Sequence, residues 1–148
     1  MIPTTRQRIH DWADAIGDKY PPRDYTDVYF EDMTNVERLV FGVNWFTLEV
    51  ENGGLSQYLF NSTGSIANDT CRQLRAANLT QLADLLAQAL TVFPDGISPK
   101  DDETRQAIMR ALPDEKEQFL SECDQQVLPI IRESLKRVVE YVGQEFQP

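Results

Sequence analysis

Two cysteines and a single histidine in 148 residues are too few for a disulfide framework or a zinc site. No apolar run approaches the ~18 residues that a membrane span needs, and the opening MIPTTRQRIHDWAD lacks the apolar stretch of a secretion signal. No membrane association and a cytoplasmic location are therefore expected. Basic residues are also scarce: fourteen Lys and Arg stand against twenty-four Asp and Glu, a formal charge of −10. A direct nucleic-acid binder needs a basic footprint, and anionic lipid repels such a chain, so neither partner is expected. A P-loop, a dinucleotide-binding glycine motif and a G-x-S-x-G elbow are all missing. No catalytic residue, cofactor or metal is predicted.

The apolar content of 41% is ordinary, and the length suits one domain over residues 1–148 with a single core. Acidity is concentrated in two blocks. Residues 11–37 carry Asp11, Asp14, Asp18, Asp24, Asp27, Glu31, Asp32 and Glu37 against Lys19 and Arg23. Residues 101–124 carry Asp101, Asp102, Glu103, Asp114, Glu115, Glu117, Glu122 and Asp124 against Arg105, Arg110 and Lys116. The centre, 61–100, balances to zero.

The periodicity is helical throughout. Ile9, Trp12, Ala13 and Ile16 predict an amphipathic helix over 5–17, capped by Thr4 or Thr5 and stopped by Gly17. Its polar side aligns Asp11, Asp14 and Asp18. A loop over 20–32 follows, with Tyr25, Tyr29 and Phe30 as its anchors. Thr34-Asn35-Val36-Glu37 fits a capping box ahead of a nearly all-apolar helix, which Asn52-Gly53-Gly54 should close. The stretch Leu39 to Val43 is β-branched enough to suggest a strand, but length and the capping box favour helix. Further helices are predicted over 55–61, 65–77, from a cap at Thr80 to about Phe93, over 103–111, from Pro113 at a first helical position to 124, and over 127–145 with Pro129 in its first turn. The fold class is all-α: a single-domain orthogonal bundle of about six to eight helices.

His10 is expected to pair along its helix with Asp11 or Asp14 rather than to activate Cys71 or Cys123. The segment Asp95-Gly96 to Glu103 fails the calcium-loop template, and Asp101-Asp102-Glu103 more simply supply charge to a helix start. The sequons at Asn61, Asn68 and Asn78 carry no meaning without secretion. One polar constellation remains, from Asn52 to Gly64. Asn52, Gln57, Tyr58 and Asn61 there either line a small binding cleft or satisfy backbone groups at two adjacent helix ends, and the second reading carries more weight.

That segment resembles the signature of a family of small bacterial proteins, the DNA-mimic-like domain family. The corresponding residues are Asn52-Gly53-Gly54-Leu55, Gln57-Tyr58-Leu59-Phe60 and Asn61-Ser62-Thr63-Gly64, and the resemblance extends over 36–64, with Leu59 where an aromatic is usual. The resemblance implies an all-helical fold and an acidic surface that imitates duplex DNA, by which such a protein occupies a DNA-binding regulator or nucleoid-associated protein. The motif residues Asn52, Gly53, Gly54, Gln57, Tyr58, Asn61, Ser62 and Gly64 are then structural. The partner surface is assigned to Asp11, Asp14, Asp18, Glu31, Asp32, Asp114, Glu117 and Glu122. A homodimer stays open. Two other functions stay open as well: a small-molecule or enzymatic site around 52–61, and an acidic accessory protein whose charge only confers solubility.

Overall fold

Thr34 and Glu37 start the longest helix by exchanging hydrogen bonds. The Glu37 N–H donates to Thr34 Oγ1 at 3.2 Å, and the Thr34 N–H donates to Glu37 Oε1 at 2.9 Å. From that capping box, α2 (Asn35–Phe60) runs through the middle of the molecule. Val40, Val43, Phe46, Val50, Leu55 and Leu59 are all buried, on several sides of the helix, because α2 has neighbours nearly all round. The β-branched run from Leu39 to Val43 is helical, since tertiary packing outweighs a weak strand preference.

The computed structural model describes residues 2–20, 30–143 and 146–148. Tyr25 and Tyr29, expected as loop anchors, lie outside the described residues together with Asp24 and Asp27; Phe30 is buried. Among the described residues six more α-helices pack on α2 or on its neighbours: α1 (Thr5–Lys19), α3 (Ala67–Ala76), α4 (Thr80–Leu90), α5 (Asp102–Arg110), α6 (Asp114–Val127) and α7 (Ile131–Val142). Short 3-10 turns occupy Phe30–Asp32, Ser62–Ile66, Pro94–Gly96 and Leu128–Ile130, and no strand occurs among the described residues. Helices α1, α3, α5, α6 and α7 pack on α2, while α4 bridges α3 and α6, and α1 also meets α7. The result is a single all-helical bundle. No helix among the described residues is long and apolar enough to cross a membrane.

Several boundaries differ from the sequence expectation, each for a local reason. Helix α1 passes through Gly17 to Lys19, because the surrounding face is packed (a Cβ on Gly17 would stand 3.7 Å from Phe41) and one glycine costs only about 1 kcal/mol. Its cap is Thr4, whose hydroxyl accepts from the Gln7 N–H at 3.1 Å. Asn52-Gly53-Gly54 kinks α2 instead of ending it: Gly54 takes φ +77° and ψ −178°, and the chain resumes helix at Leu55. Residues 62–66 form a 3-10 turn, so α3 starts two residues later than predicted. Thr80 is the first helical residue of α4 and no cap; Leu79 precedes it without a side-chain hydrogen bond. Pro113 takes the cap position of α6. At the C-terminal end α6 runs on to Val127, and Pro129 sits in a 3-10 turn that redirects the chain into the shorter α7.

Candidate functional site

The polar motif after α2's kink is a junction between helices. Where Gly54 breaks the helix, the N–H of Leu55 would be unpaired; Asp124 of α6 accepts it through Oδ1 at 2.7 Å. A Cβ on Gly54 would stand 2.5 Å from Asp124 Oδ2, so this contact needs glycine as much as the positive φ does. Burial pushes the Asp124 carboxyl above its ordinary range, and the Leu55 N–H only partly opposes that. One turn further on, the amide nitrogens of Gln57 and Asn61 both donate to Glu49 Oε2, at 2.8 and 2.9 Å. Gln57 and Asn61 thus fasten the second half of α2 back onto the first.

Arg105 of α5 closes the junction. Its side chain is fully buried, and its Nε donates to the Leu59 carbonyl at 2.8 Å. One terminal nitrogen reaches the carbonyls of Pro99 and Lys100, at 2.8 and 3.3 Å. The other reaches the Asn61 carbonyl at 2.9 Å and pairs with Asp102. Gly64 lies against this fork: a Cβ there would stand 2.3 Å from the Leu59 oxygen and 2.6 Å from Arg105 Nε. Ser98 ties the same turn down, its hydroxyl donating to the Gly64 carbonyl at 2.8 Å.

Of the four residues considered as a cleft, two reach one. Gln57 and Asn61 border an open cleft of about 410 Å³ between the end of α2 and the α5–α6 connection, floored by Phe60, Met109 and Leu112. Tyr58 is fully buried, its ring 4.8 Å from that of Phe46, and burial pushes its hydroxyl well above the usual range. Asn52 and Ser62 are exposed, and neither borders this cleft.

Sequence reasoning did not single out Arg105, Asp124 or Glu49 as positioning residues, and it read Glu37 only as part of a capping box. Arg105 had a signal: it precedes Ile108 and Met109 at helical spacing, so it occupies the apolar stripe of α5. Glu37 does more than cap. It is 2% exposed and also accepts from the Tyr20 hydroxyl at 2.8 Å and the Lys19 ammonium at 3.0 Å. Burial alone would raise its carboxyl. The Thr34 N–H, Tyr20 and Lys19 outweigh burial and hold it below the ordinary range.

The chemistry set aside from sequence finds its structural partners. His10 Nε2 lies 3.5 Å from Asp14 Oδ2, and the ring meets Trp45 edge-on. Cys71 and Cys123 are both buried, and Cys71 Sγ faces the Ala83 carbonyl at 3.4 Å. Asp101 caps α5, accepting from the Thr104 N–H and hydroxyl at 2.8 and 2.6 Å. No group of three metal-ligating side chains is placed to hold an ion among the described residues.

The acidic candidates divide between two helices. Asp11, Asp14 and Asp18 are exposed along one edge of α1, with neighbours about 5–6 Å apart. Gln7 extends the edge, donating its amide to Asp11 at 2.7 Å. On α6, Asp114, Glu115, Glu117 and Glu122 are all exposed, but at about 100° per residue Glu122 lies about 140° round from Glu117. They cover a face and form no line. Glu31 and Asp32 are exposed before α2, with Glu31 3.6 Å from Lys100. Helix α1 packs on α2 and α7, and α6 on α2 and α4, so the two acidic helices share the central helix but otherwise lie against different neighbours.

Cations are mostly committed elsewhere. Arg6 pairs with Glu51, Lys19 with Glu37, Arg72 with Asp69 and Arg75 with Asp84. Arg38 donates to the carbonyls of Phe30 and Glu31, and Arg110 lies over the Phe60 ring. No Lys or Arg among the described residues pairs with Asp11, Asp14, Asp18, Asp114, Glu115, Glu117 or Glu122.

A model of the DMP19-like proteins, a family named for a DNA mimic, matches residues 31–144. The chain belongs to the DMP19-like family. The match takes in α2 through α7, and with them the whole junction built by Gly54, Gly64, Arg105 and Asp124. Glu31, Asp32 and the acidic face of α6 fall inside the DMP19-like region; α1 with Asp11, Asp14 and Asp18 precedes it. Searches among curated proteins and among solved structures returned no match.

Proposed function

We propose that this DMP19-like protein acts without catalysis, presenting its exposed carboxylates in place of DNA phosphates to occupy the DNA-binding face of a regulator or nucleoid-associated protein. The observation that carries the reading is the separation of charge roles: Asp11, Asp14 and Asp18 on α1 and Asp114, Glu115, Glu117 and Glu122 on α6 stand exposed with no Lys or Arg partner among the described residues, while Arg6, Lys19, Arg72, Arg75 and Arg105 pair with other carboxylates. A basic surface built to receive about one negative charge per 1.7 Å of duplex meets here carboxylates spaced about 5–6 Å apart on rigid helices. Family membership supports the same reading. The family motif serves as scaffold: its glycines and amides fix the α2 kink against α5 and α6, which sets where the α6 carboxylates stand.

Steering by a net charge of −10 should give fast association that weakens with salt. The test is affinity capture on immobilised protein from a nuclease-treated bacterial extract. A DNA-binding protein that is retained at low salt and released by added duplex DNA supports the reading. Retained proteins that duplex DNA fails to release overturn it.

A further inference from the structure

On an acidic molecule, one groove is rimmed by cations. It lies between the start of α1 and the outer side of α7, encloses about 760 Å³, and has Leu128, Ile131 and Leu135 as its floor. These apolar residues recur at spacings of three and four; Ile131 and Leu135 are packed into the core, and Leu128, 46% exposed, is the one of the three that the bundle leaves open. Arg132 and Lys136, one turn apart and both exposed, form one rim; neither has a carboxylate partner among the described residues. Arg6 stands on the other side, paired with Glu51, beside the first turn of α1, which carries no acidic residue. The positive end of that helix dipole is thus left without a side-chain counter-charge in its first turn.

We infer that this groove docks an acidic amphipathic helix of a partner protein, its apolar side against the exposed Leu128 and its carboxylates toward Arg132 and Lys136. Charge complementarity selects the occupant. A lone apolar floor would accept any hydrophobic segment, but two unpaired cations on a chain of net charge −10 favour a short anionic one. Duplex DNA fits poorly: the whole molecule repels a polyanion, two cations reach only a pair of phosphates, and phosphates gain nothing from an apolar floor. A second copy carries the same net charge of −10 and is repelled overall. The reading is independent of DNA mimicry, because it uses a surface of opposite charge from α1 and α6. If both hold, one molecule joins a basic partner to an acidic one.

The experiment is fluorescence anisotropy of a labelled synthetic helix with leucines on one side and glutamates flanking them. A twin peptide carrying glutamines and a labelled DNA duplex serve as comparison probes. The expected result is binding of the glutamate peptide that Arg132→Glu/Lys136→Glu weakens by about tenfold or more, and that Leu128→Ser also weakens. The net-charge control, Arg110→Glu/Lys116→Glu on the α5–α6 side, should bind within about twofold of the parent. Equal losses in the two double variants, equal binding of the glutamine twin, or tighter binding of the duplex would each overturn the inference. So would concentration-dependent self-association in sedimentation that Arg132→Glu/Lys136→Glu abolishes, since the groove would then belong to a second copy. Circular dichroism verifies that each variant is folded; none of these three side chains is an enclosed core residue.

Discussion

Replacing Arg105 by methionine keeps an apolar stem of similar reach and removes every donor of the fork. Four carbonyls lose a partner: Leu59, Asn61, Pro99 and Lys100. The Leu59 bond is enclosed, and an enclosed acceptor left unpaired costs about 1–3 kcal/mol. The other three lie where water has partial access and cost about 0.5–1 kcal/mol each. Relief from burying a guanidinium offsets part of this, leaving a net loss of about 3–4 kcal/mol. Against the 5–15 kcal/mol typical of a domain, that is large. Urea unfolding followed by circular dichroism should show a lower midpoint with an unchanged slope. Arg105→Lys, with a single ammonium for a planar fork, should fall between, at about 1.5–2.5 kcal/mol. The exposed Arg132→Met should cost under about 0.5 kcal/mol. An Arg105→Met protein within about 1 kcal/mol of the parent would refute the claim that the family motif is built around this side chain.

Three further outcomes follow from the same contacts. Asp124→Ala should cost about 0.5–2 kcal/mol by leaving the Leu55 N–H uncapped, and Asp124→Asn, which keeps an acceptor oxygen, should cost less; equal losses would mean that the contact is incidental. Gly54→Ala should destabilise even in the Asp124→Ala background, because its φ of +77° is strained for alanine whatever the space; full rescue there would show that only the clash mattered. For pH, the folded protein holds Glu37 below its ordinary value of 4.5, so ionised Glu37 adds stability above that pH, and the contribution is lost as pH falls through the lower folded value. Thermal melts should therefore show a shallower acid-side decline in Glu37→Gln than in the parent, with parallel declines counting against the assignment.

Legibility in the sequence followed local signals. The capping box at Thr34 and Glu37 and the apolar spacing of α1, α2 and α4 are short-range features, and each reappears in the structure. Termini were read less well where a local signal had a distant competitor. Gly53 and Gly54 look like a helix stop, yet an aspartate 69 residues away supplies the cap that lets the helix resume. Arg105 counted as one more surface charge from composition, although its partners lie 44 and 46 residues earlier and leave it fully buried. The acidic line of α1 was readable because helix spacing alone sets it; the face of α6 was only partly readable, since Glu122 needs the helix phase and not just its proximity in sequence. The spacing of Arg132 and Lys136 is a local signal, but the groove they rim had no sequence signature, because its two walls on α1 and α7 are separated by most of the chain.

The central claim concerns the exposed carboxylates, and displacement of labelled duplex DNA from the captured DNA-binding protein tests it directly. The parent should displace the duplex. Asp11→Asn/Asp14→Asn/Asp18→Asn and Asp114→Asn/Glu117→Gln/Glu122→Gln, both folded with melting points near the parent's, should each displace it about tenfold less well, with a weaker salt dependence. If both triple variants displace the duplex as well as the parent does, the carboxylates are not standing in for phosphates.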